Sequence, residues 1–420
     1  SIAVGLRASK AYEKDMWELK KAFRNPSLQM VSFTITEKGY ALKDIHGNFF
    51  PVVEEDFENG PDFCNHAMSI VTAMLNDRFL CCGKPIAVVS MDNCSHNGEK
   101  LRESILTIAK KWRENRFVSE GFLYWLQDEE NVSFPWSMID KITPGPDASV
   151  SAMLEADGLE AGTPFVNAEE SEYLVIEDNF PNGRPALEKA GIYFTARETV
   201  DQVERMKVCT CLNPLHTTLA VYGCLLGFDR IWKEMQDEDL NKLVNVIGYK
   251  EGLPVVTDPG IIKPIDFINT VVNVRIPNPF LPDTPQRIAT DTSQKLSIRF
   301  GETIKAYMAS DELSVSDLKL IPMVHAGWLR YLMAIDDEGN AFEPSPDPML
   351  AELQQIVAPL EVREGEQDFS CLKQLYTRKD VFGLDLYEAG LGEQIEGMVA
   401  ELYAGVGAVR KTLHKYVSTR

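Results

Sequence analysis

Three stretches carry side chains that could do chemistry. The first is Val203-Glu204-Arg205-Met206-Lys207, then Cys209-Thr210-Cys211-Leu212, then Asn213-Pro214-Leu215-His216. Pro214 fits the first position of a helix with Asn213 as its N-cap. In one continuous helix, at about 100° per residue, Lys207 and His216 would point to opposite faces. A break at Asn213-Pro214 lets them converge. A buried lysine with a depressed pKa is a competent base for an alcohol proton. The bland reading is a surface lysine, a capping asparagine and a core-edge histidine, and composition alone favours it. The second stretch is Asp92-Asn93-Cys94-Ser95-His96-Asn97-Gly98. Asn93 could offer an amide donor to a substrate oxygen. The plain alternative is a turn in which Ser95 or Asn97 caps a helix from Gly98. The third is Arg287 to Lys295, where Arg287, Asp291 and Lys295 fall at i, i+4 and i+8. On one helix face this is either a solvated charge ladder or a polar wall for a polyhydroxylated or carboxylate substrate. A fourth pattern, Gly405-Val406-Gly407-Ala408-Val409-Arg410, is a decoy. It lies in a C-terminal helical pattern with no strand before it, so it lacks the context of a dinucleotide loop.

The elements that would position these residues are legible from periodicity. Residues 27–36 and 84–91 read as buried strands, and the opening residues 1–6 as another. Helical stripes over 11–24, 63–79 and 98–112 alternate with them, which predicts a parallel α/β sheet. The Asp92 stretch thus sits just past the carboxyl end of a strand, where open α/β sheets bind ligands. Residues 172–178 alternate like an exposed antiparallel strand, and 143–164 read as loop. From about residue 200 the pattern is nearly all helical: 198–208, 215–235, 237–248, 286–308, 315–335, 346–358 and 390–416. The expected division is therefore an α/β domain over 1–198 and a helical domain over 199–420.

Composition narrows the function. The chain has 420 residues, 45% hydrophobic and 25% charged, an ordinary globular mix. Its net charge of −21 disfavours nucleic acid and anionic membranes as partners. It leaves room for a small anionic substrate in a local basic pocket. The 8 cysteines have no zinc-like spacing and read as free thiols of a cytoplasmic protein. No metal site is expected, and oligomeric state is not legible.

Taken together, several segments resemble the polyol-specific long-chain dehydrogenase/reductase, or mannitol dehydrogenase, family. They are Thr36-Glu37-Lys38-Gly39-Tyr40, Asp92-Asn93 with His96-Asn97-Gly98, and Phe134-Pro135 with Ser137 to Pro144. The Lys207/Asn213/His216 stretch, Arg275 with Asn278-Pro279, Asp291 to Leu296, and Trp328-Leu329-Arg330-Tyr331 follow in the family's order. The resemblance implies a Rossmann-like α/β N-terminal domain and a mainly α-helical C-terminal domain. It also implies metal-independent, NAD- or NADP-dependent oxidation of a secondary alcohol, with NAD favoured. The substrate would be an open-chain sugar acid or polyol, with fructuronate/mannonate-like compounds preferred over mannitol or arabinitol. A non-catalytic carbohydrate-binding relative is the alternative of another class.

Carried over by position, Lys207 resembles the family's base. Asn93 and Asn213 resemble the amides that hold the reacting oxygen, His216 a substrate-hydroxyl contact, and Glu204 a proton relay. Asp140, Arg287 and Lys295 resemble substrate-site residues, and Thr36, Glu37 and Asp92 lie where the cofactor is expected. Three positions depart from the family. The spacing is Lys-x5-Asn-x2-His rather than Lys-x4-Asn-x2-His, so a bulge or turn must absorb one residue. Lys141 stands where the signature has Arg, and Thr290 where some members have His. The family's opening strand, glycine-rich turn and cofactor-specifying acidic residue are not in this sequence. Roughly a hundred residues of a first βαβ portion are expected upstream of Ser1.

Overall fold

A computed structural model describes residues 12–44, 46–141, 146–162 and 173–419, with Leu6, Ala8 and Phe165. The strand expected over residues 1–6 lies almost wholly outside the described residues. The chain divides into two units, residues 1–142 with 170–201, and residues 143–169 with 202–420.

The first unit is α/β. Strands β1 (Met30–Phe33), β2 (Ile86–Ser90) and β3 (Val132–Ser133) form a parallel sheet in that order. Val31 pairs with Val88, and Ile86 with Val132. All five residues of β2 are buried, the mark of a central strand covered on both faces. A second sheet holds β4 (Ser137–Ile139), antiparallel to β5 (Leu174–Glu177), which runs parallel to β6 (Tyr193–Thr195). Here β5 departs from the expected exposed strand. It is the middle strand of its sheet, and Val175, Ile176 and Glu177 are buried.

Helices α1 (Glu13–Arg24), α2 (Ala67–Cys81) and α3 (Asn97–Glu114) pack with this unit's main core. Leu101, Ile105, Ile108 and Trp112 form the apolar stripe of α3 at helical spacing and are fully buried. Arg78 on α2 is also fully buried. Its five N–H donors meet five backbone carbonyls: Phe23, Asn25, Leu28, Lys84 and Pro85. The guanidinium therefore ties the end of α1 and the entries to β1 and β2 to one point.

The second unit is helical. After α4 (Arg197–Arg205), a π-helical turn over Met206–Cys211 leads into α5 (Asn213–Leu225). Further π-helical turns occur at Val246–Gly252, Val271–Arg275 and Ser297–Gly301, the last leading into α6 (Glu302–Ala309). Every residue of α7 (Leu320–Leu332) is buried, as expected of the central helix of a large core. Its first N–H groups have no intrahelical partner, and a distant carboxylate supplies one. Glu251 accepts from Lys319, Leu320 and Ile321, each at 2.8 Å. Helices α8 (Gly392–Leu402) and α9 (Ala408–Ser418) close the unit.

Two expected helices break, and one expected loop contains a helix. The predicted 286–308 helix is interrupted at Asp291, whose φ of 55° is left-handed. Its N–H donates to the Pro346 carbonyl, while the Asp347 carboxylate takes the Ser293 N–H and hydroxyl. Arg287, Asp291 and Lys295 consequently do not share one helix face. The 390–416 helix breaks at Gly405 and Gly407, with φ of 111° and 75°. The glycine decoy is thus the turn between α8 and α9. The stretch 143–164, expected as loop, contains a helix over Ala148–Ala156 started by the Asp147 side chain.

His325 on α7 is fully buried, edge-on to Phe300 and Phe382. Neither ring nitrogen has a hydrogen-bond partner among the described residues. Burial pushes its pKa down to about 3, so the folded state holds it neutral where the unfolded chain is protonated. The unfolded state then binds more protons between pH 6.5 and 3, and stability falls as pH falls through that window. His325→Leu is expected to stabilise by about 1 kcal/mol at pH 7, because it removes two unmet polar atoms. It should also flatten the acid side of the urea-midpoint profile. An unchanged acid slope would assign the loss to other groups, His216 first among them.

Candidate active site

The first unit's candidate residues sit on loops leaving β1 and β2. Asp92, two residues past the end of β2, is 6% exposed. Its carboxylate accepts from the Ile35 and Thr36 N–H groups, both at 2.8 Å, and from the Tyr40 hydroxyl. Ser90 donates to the same Tyr40 oxygen at 2.8 Å. Burial, and then the bond to Asp92, hold the Tyr40 hydroxyl well above its ordinary pKa. This network lets Thr36 keep a left-handed φ of 64°. Asp92 therefore shapes both strand exits with its oxygens engaged by the protein. Glu37 is exposed and ion-paired with Lys100. Asn93 is exposed on the β2 exit loop.

Asn97 does not cap α3 as one reading of the sequence expected. His96 holds the cap position, with a left-handed φ of 48° and no side-chain cap bond. The Asn97 amide instead donates to the Ser90, Asp92 and Ser137 carbonyls and accepts from the Ser137 N–H. It joins the exit of β2 to the start of β4. His96 stacks on Trp136 at 4.3 Å and pairs with Asp201 at 3.1 Å. Asp140, just past β4, is fully buried, and its N–H donates to the Tyr173 carbonyl.

The second unit brings another set together. Lys207 lies on the π-helical turn Met206–Cys211 and is 1% exposed. The added residue between Lys207 and Asn213 is taken up there. A π turn accommodates one residue more than an α-helical turn, and such turns recur at functional sites. Glu204, in the last turn of α4, is buried. Asn213 opens α5 with Pro214 in the first turn, one residue earlier than the expected cap, and Leu212 takes the cap position. His216 follows in the first turn of α5. Burial pushes its pKa down to about 3; Asp283 opposes this, and Arg275, Arg299 and Arg287 add to it. At neutral pH it is a neutral imidazole, suited to donate to or accept from a hydroxyl.

Arg287 and Lys295 are placed differently. Arg287 is mostly exposed and holds Asp283 through both Nε and Nη2. Lys295 is half-buried, and its ammonium donates to the Thr290 and Ile288 carbonyls. Burial and then Arg299 lower its pKa to about 8. Two residues that the sequence reading left out belong to this set. Asp283 is the carboxylate that holds Arg287, and its i, i+4 spacing was a visible signal. Arg299 lies four residues after Lys295, a like-charge spacing that a surface helix avoids.

Residues 4–189 match the family model described as the mannitol dehydrogenase Rossmann domain. Residues 199–403 match that of the mannitol dehydrogenase C-terminal domain. A D-mannonate oxidoreductase of Thermotoga maritima is 52% identical over 415 residues, covering 96% of this chain and 76% of that protein. A polyol:NADP oxidoreductase of Gluconobacter oxydans is 32% identical, covering 80% of this chain and 66% of that protein. Among solved structures, Pseudomonas fluorescens mannitol 2-dehydrogenase, in a ternary complex with NAD and D-mannitol, is similar at a TM-score of 0.70. It is 27% identical and covers 97% of this chain and 78% of that one.

Proposed function

Since the chain belongs to the mannitol dehydrogenase family, we propose that it is an NAD(P)-dependent oxidoreductase of an open-chain sugar acid. It would interconvert a secondary alcohol and a ketone, with mannonate/fructuronate-like compounds as substrates and NAD as the favoured cofactor. The observation that carries the reading is Lys207, a lysine buried to 1% exposure on a π turn, with Asn213 and His216 on the helix that follows. Sugar binding alone has no need of a buried base.

A dinucleotide fits the first unit on structural grounds. Its parallel strands β1 and β2 end in loops braced by Asp92, and the exposed Asn93 stands on one of them. Thr36, Glu37 and Asp92 are the residues proposed to border it. When bound, the nicotinamide supplies the acceptor or donor of hydride. The chain's own groups handle the proton and the alignment. Lys207 takes the proton of the reacting hydroxyl, and Glu204 passes it toward solvent. The amides of Asn213 and Asn93 are proposed to donate to the substrate oxygen as it gains negative charge. Neutral His216 bonds a neighbouring hydroxyl, and Asp140, Arg287 and Lys295 complete the proposed polar surroundings. The division of labour follows residues 1–198 for cofactor and 199–420 for substrate. Among the described residues no helix is long and apolar enough to cross a membrane. We propose a cytoplasmic location from the 8 cysteines, read as free thiols.

The test is a panel of D-mannonate, D-altronate, D-mannitol and D-arabinitol with NAD and NADP, followed by nicotinamide absorbance. Turnover of mannonate is the expected result. Activity on mannitol alone would remove the sugar-acid assignment, and no turnover of any pair would remove the oxidoreductase reading.

A further inference from the structure

Within the second unit, the cations near His216 are not equivalent. Arg287 is neutralised by its bidentate bond to Asp283 and is largely exposed. Lys295 has committed two of its three donors to main-chain carbonyls. Arg299 is different. It lies on the π-helical turn Ser297–Gly301, which packs against the turn that carries Lys207. Among the described residues its side chain has one hydrogen bond, from Nη1 to the Thr217 hydroxyl. Among the described residues no carboxylate pairs with it.

Burial alone pushes the Arg299 guanidinium down to about 10, so it keeps its charge at neutral pH in a poorly solvated place. Part of the residue is nevertheless accessible. None of its nitrogens is among the fully enclosed atoms that lack a partner. Its remaining donors therefore face accessible space. A desolvated cation with open donors and no counter-ion is costly unless a ligand supplies the negative charge.

The place of this charge is informative. Thr217, which accepts from Arg299, donates in turn to the Asn213 carbonyl at 3.1 Å. Arg299 also acts electrostatically on both His216 and Lys295. The guanidinium thus stands one hydroxyl away from the turn that presents Asn213 and His216. Its planar fork suits two oxygens of one carboxylate, which an ammonium does not match.

We infer that Arg299 receives the carboxylate of the substrate and so selects sugar acids over neutral polyols. The inference rests on the oxidoreductase reading above and assigns its substrate preference to one residue. It also explains how a chain with a net charge of −21 can take an anion.

The experiment compares wild type, Arg299→Gln and Arg299→Lys on D-mannonate and D-mannitol, by steady-state kinetics and by calorimetric titration of each ligand. For Arg299→Gln the mannonate KM should rise about 10- to 100-fold, the loss of a charge-assisted pair, with kcat within a few-fold of wild type. Mannitol binding should not weaken. Arg299→Lys, which keeps the charge and loses the fork, should recover part of the mannonate affinity. Equal losses for mannonate and mannitol would mark Arg299 as a brace for the Asn213–Thr217 turn and overturn the inference, as would no loss for mannonate. If the glutamine variant does not fold, the lysine variant decides by the same comparison. Mannonate binding that depends on Arg299 without turnover would sink the oxidoreductase reading and keep this inference. Mannonate turnover indifferent to Arg299 would do the reverse.

Discussion

Lys207→Ala is expected to lower kcat about 1,000-fold while leaving the affinity for NAD unchanged. The size follows from the role: a positioned general base contributes about 10²- to 10⁴-fold, and no other residue of the π turn carries an amine. Lys207 is 1% exposed, so alanine also leaves a cavity where a long side chain stood. Lys207→Met separates the two effects, since it fills the space and cannot take a proton. Both variants should lose turnover alike, and only the alanine variant should lose appreciable stability. The rise of activity with pH that a base imposes should vanish from what turnover remains. Because the cofactor is assigned to the loops of the first unit, fluorescence titration with NADH should return the wild-type affinity. Near-normal turnover in Lys207→Met would move the base to another residue and remove the main support for the oxidoreductase mechanism.

How far such residues can be read from sequence depends on what fixes them. The strands Met30–Phe33 and Ile86–Ser90 fall inside the ranges read from apolar runs, and α3 within two residues of its predicted ends. These patterns are local, and the buried faces of β2 and α3 follow from them. The one-residue excess between Lys207 and Asn213 was legible as a spacing. Its form was not, because whether a helix absorbs a residue as a π turn depends on what packs around it, here the second π turn at Ser297–Gly301. The broken 286–308 helix was missed for a related reason. Asp291 is stabilised in a left-handed conformation by Pro346 and its neighbours, some 55 residues away in sequence. Glu251 looks like an ordinary surface charge in sequence, and for Arg299 the like-charge spacing from Lys295 signals only that it does not sit on an ordinary surface helix. Tertiary structure decides that Arg299 is desolvated with no carboxylate paired to it among the described residues, and that Glu251 caps the start of α7. Local pattern therefore carries the framework here, and long-range packing decides which charges become special.

Arg78→Met is the variant expected to cost the most stability, at least about 4 kcal/mol. Five carbonyls lose this donor at once, although Asn25 keeps the Leu28 N–H and Leu28 keeps the Asn182 amide, and bonds to charged donors contribute about 1.5–3 kcal/mol each, though not additively. The Phe23 carbonyl lies in the last turn of α1, and those of Asn25, Leu28, Lys84 and Pro85 lie in irregular backbone at the entries to β1 and β2. Helix and sheet ladders do not provide them with alternative donors. Methionine keeps much of the volume, so the loss reports on the bonds rather than on a cavity. Lysine is also a poor substitute, since its three donors on one nitrogen cannot reach carbonyls on several sides of a fork. Burial lowers the Arg78 pKa, a sign that the fold pays to hold this charge dry. With it removed, β1 loses the anchor that sets its entry, and the loop braced by Asp92 at the other end of the same strand loosens with it. The expected pattern in differential scanning calorimetry is an early transition of the first unit, accompanied by weaker NAD binding. The second unit's transition should stay near its wild-type temperature. This is the reverse of Lys207→Met, which should silence turnover while leaving both transitions and NAD binding in place. A melt of Arg78→Met indistinguishable from wild type would show that water satisfies the five carbonyls and that the arginine is not what holds the strand entries together.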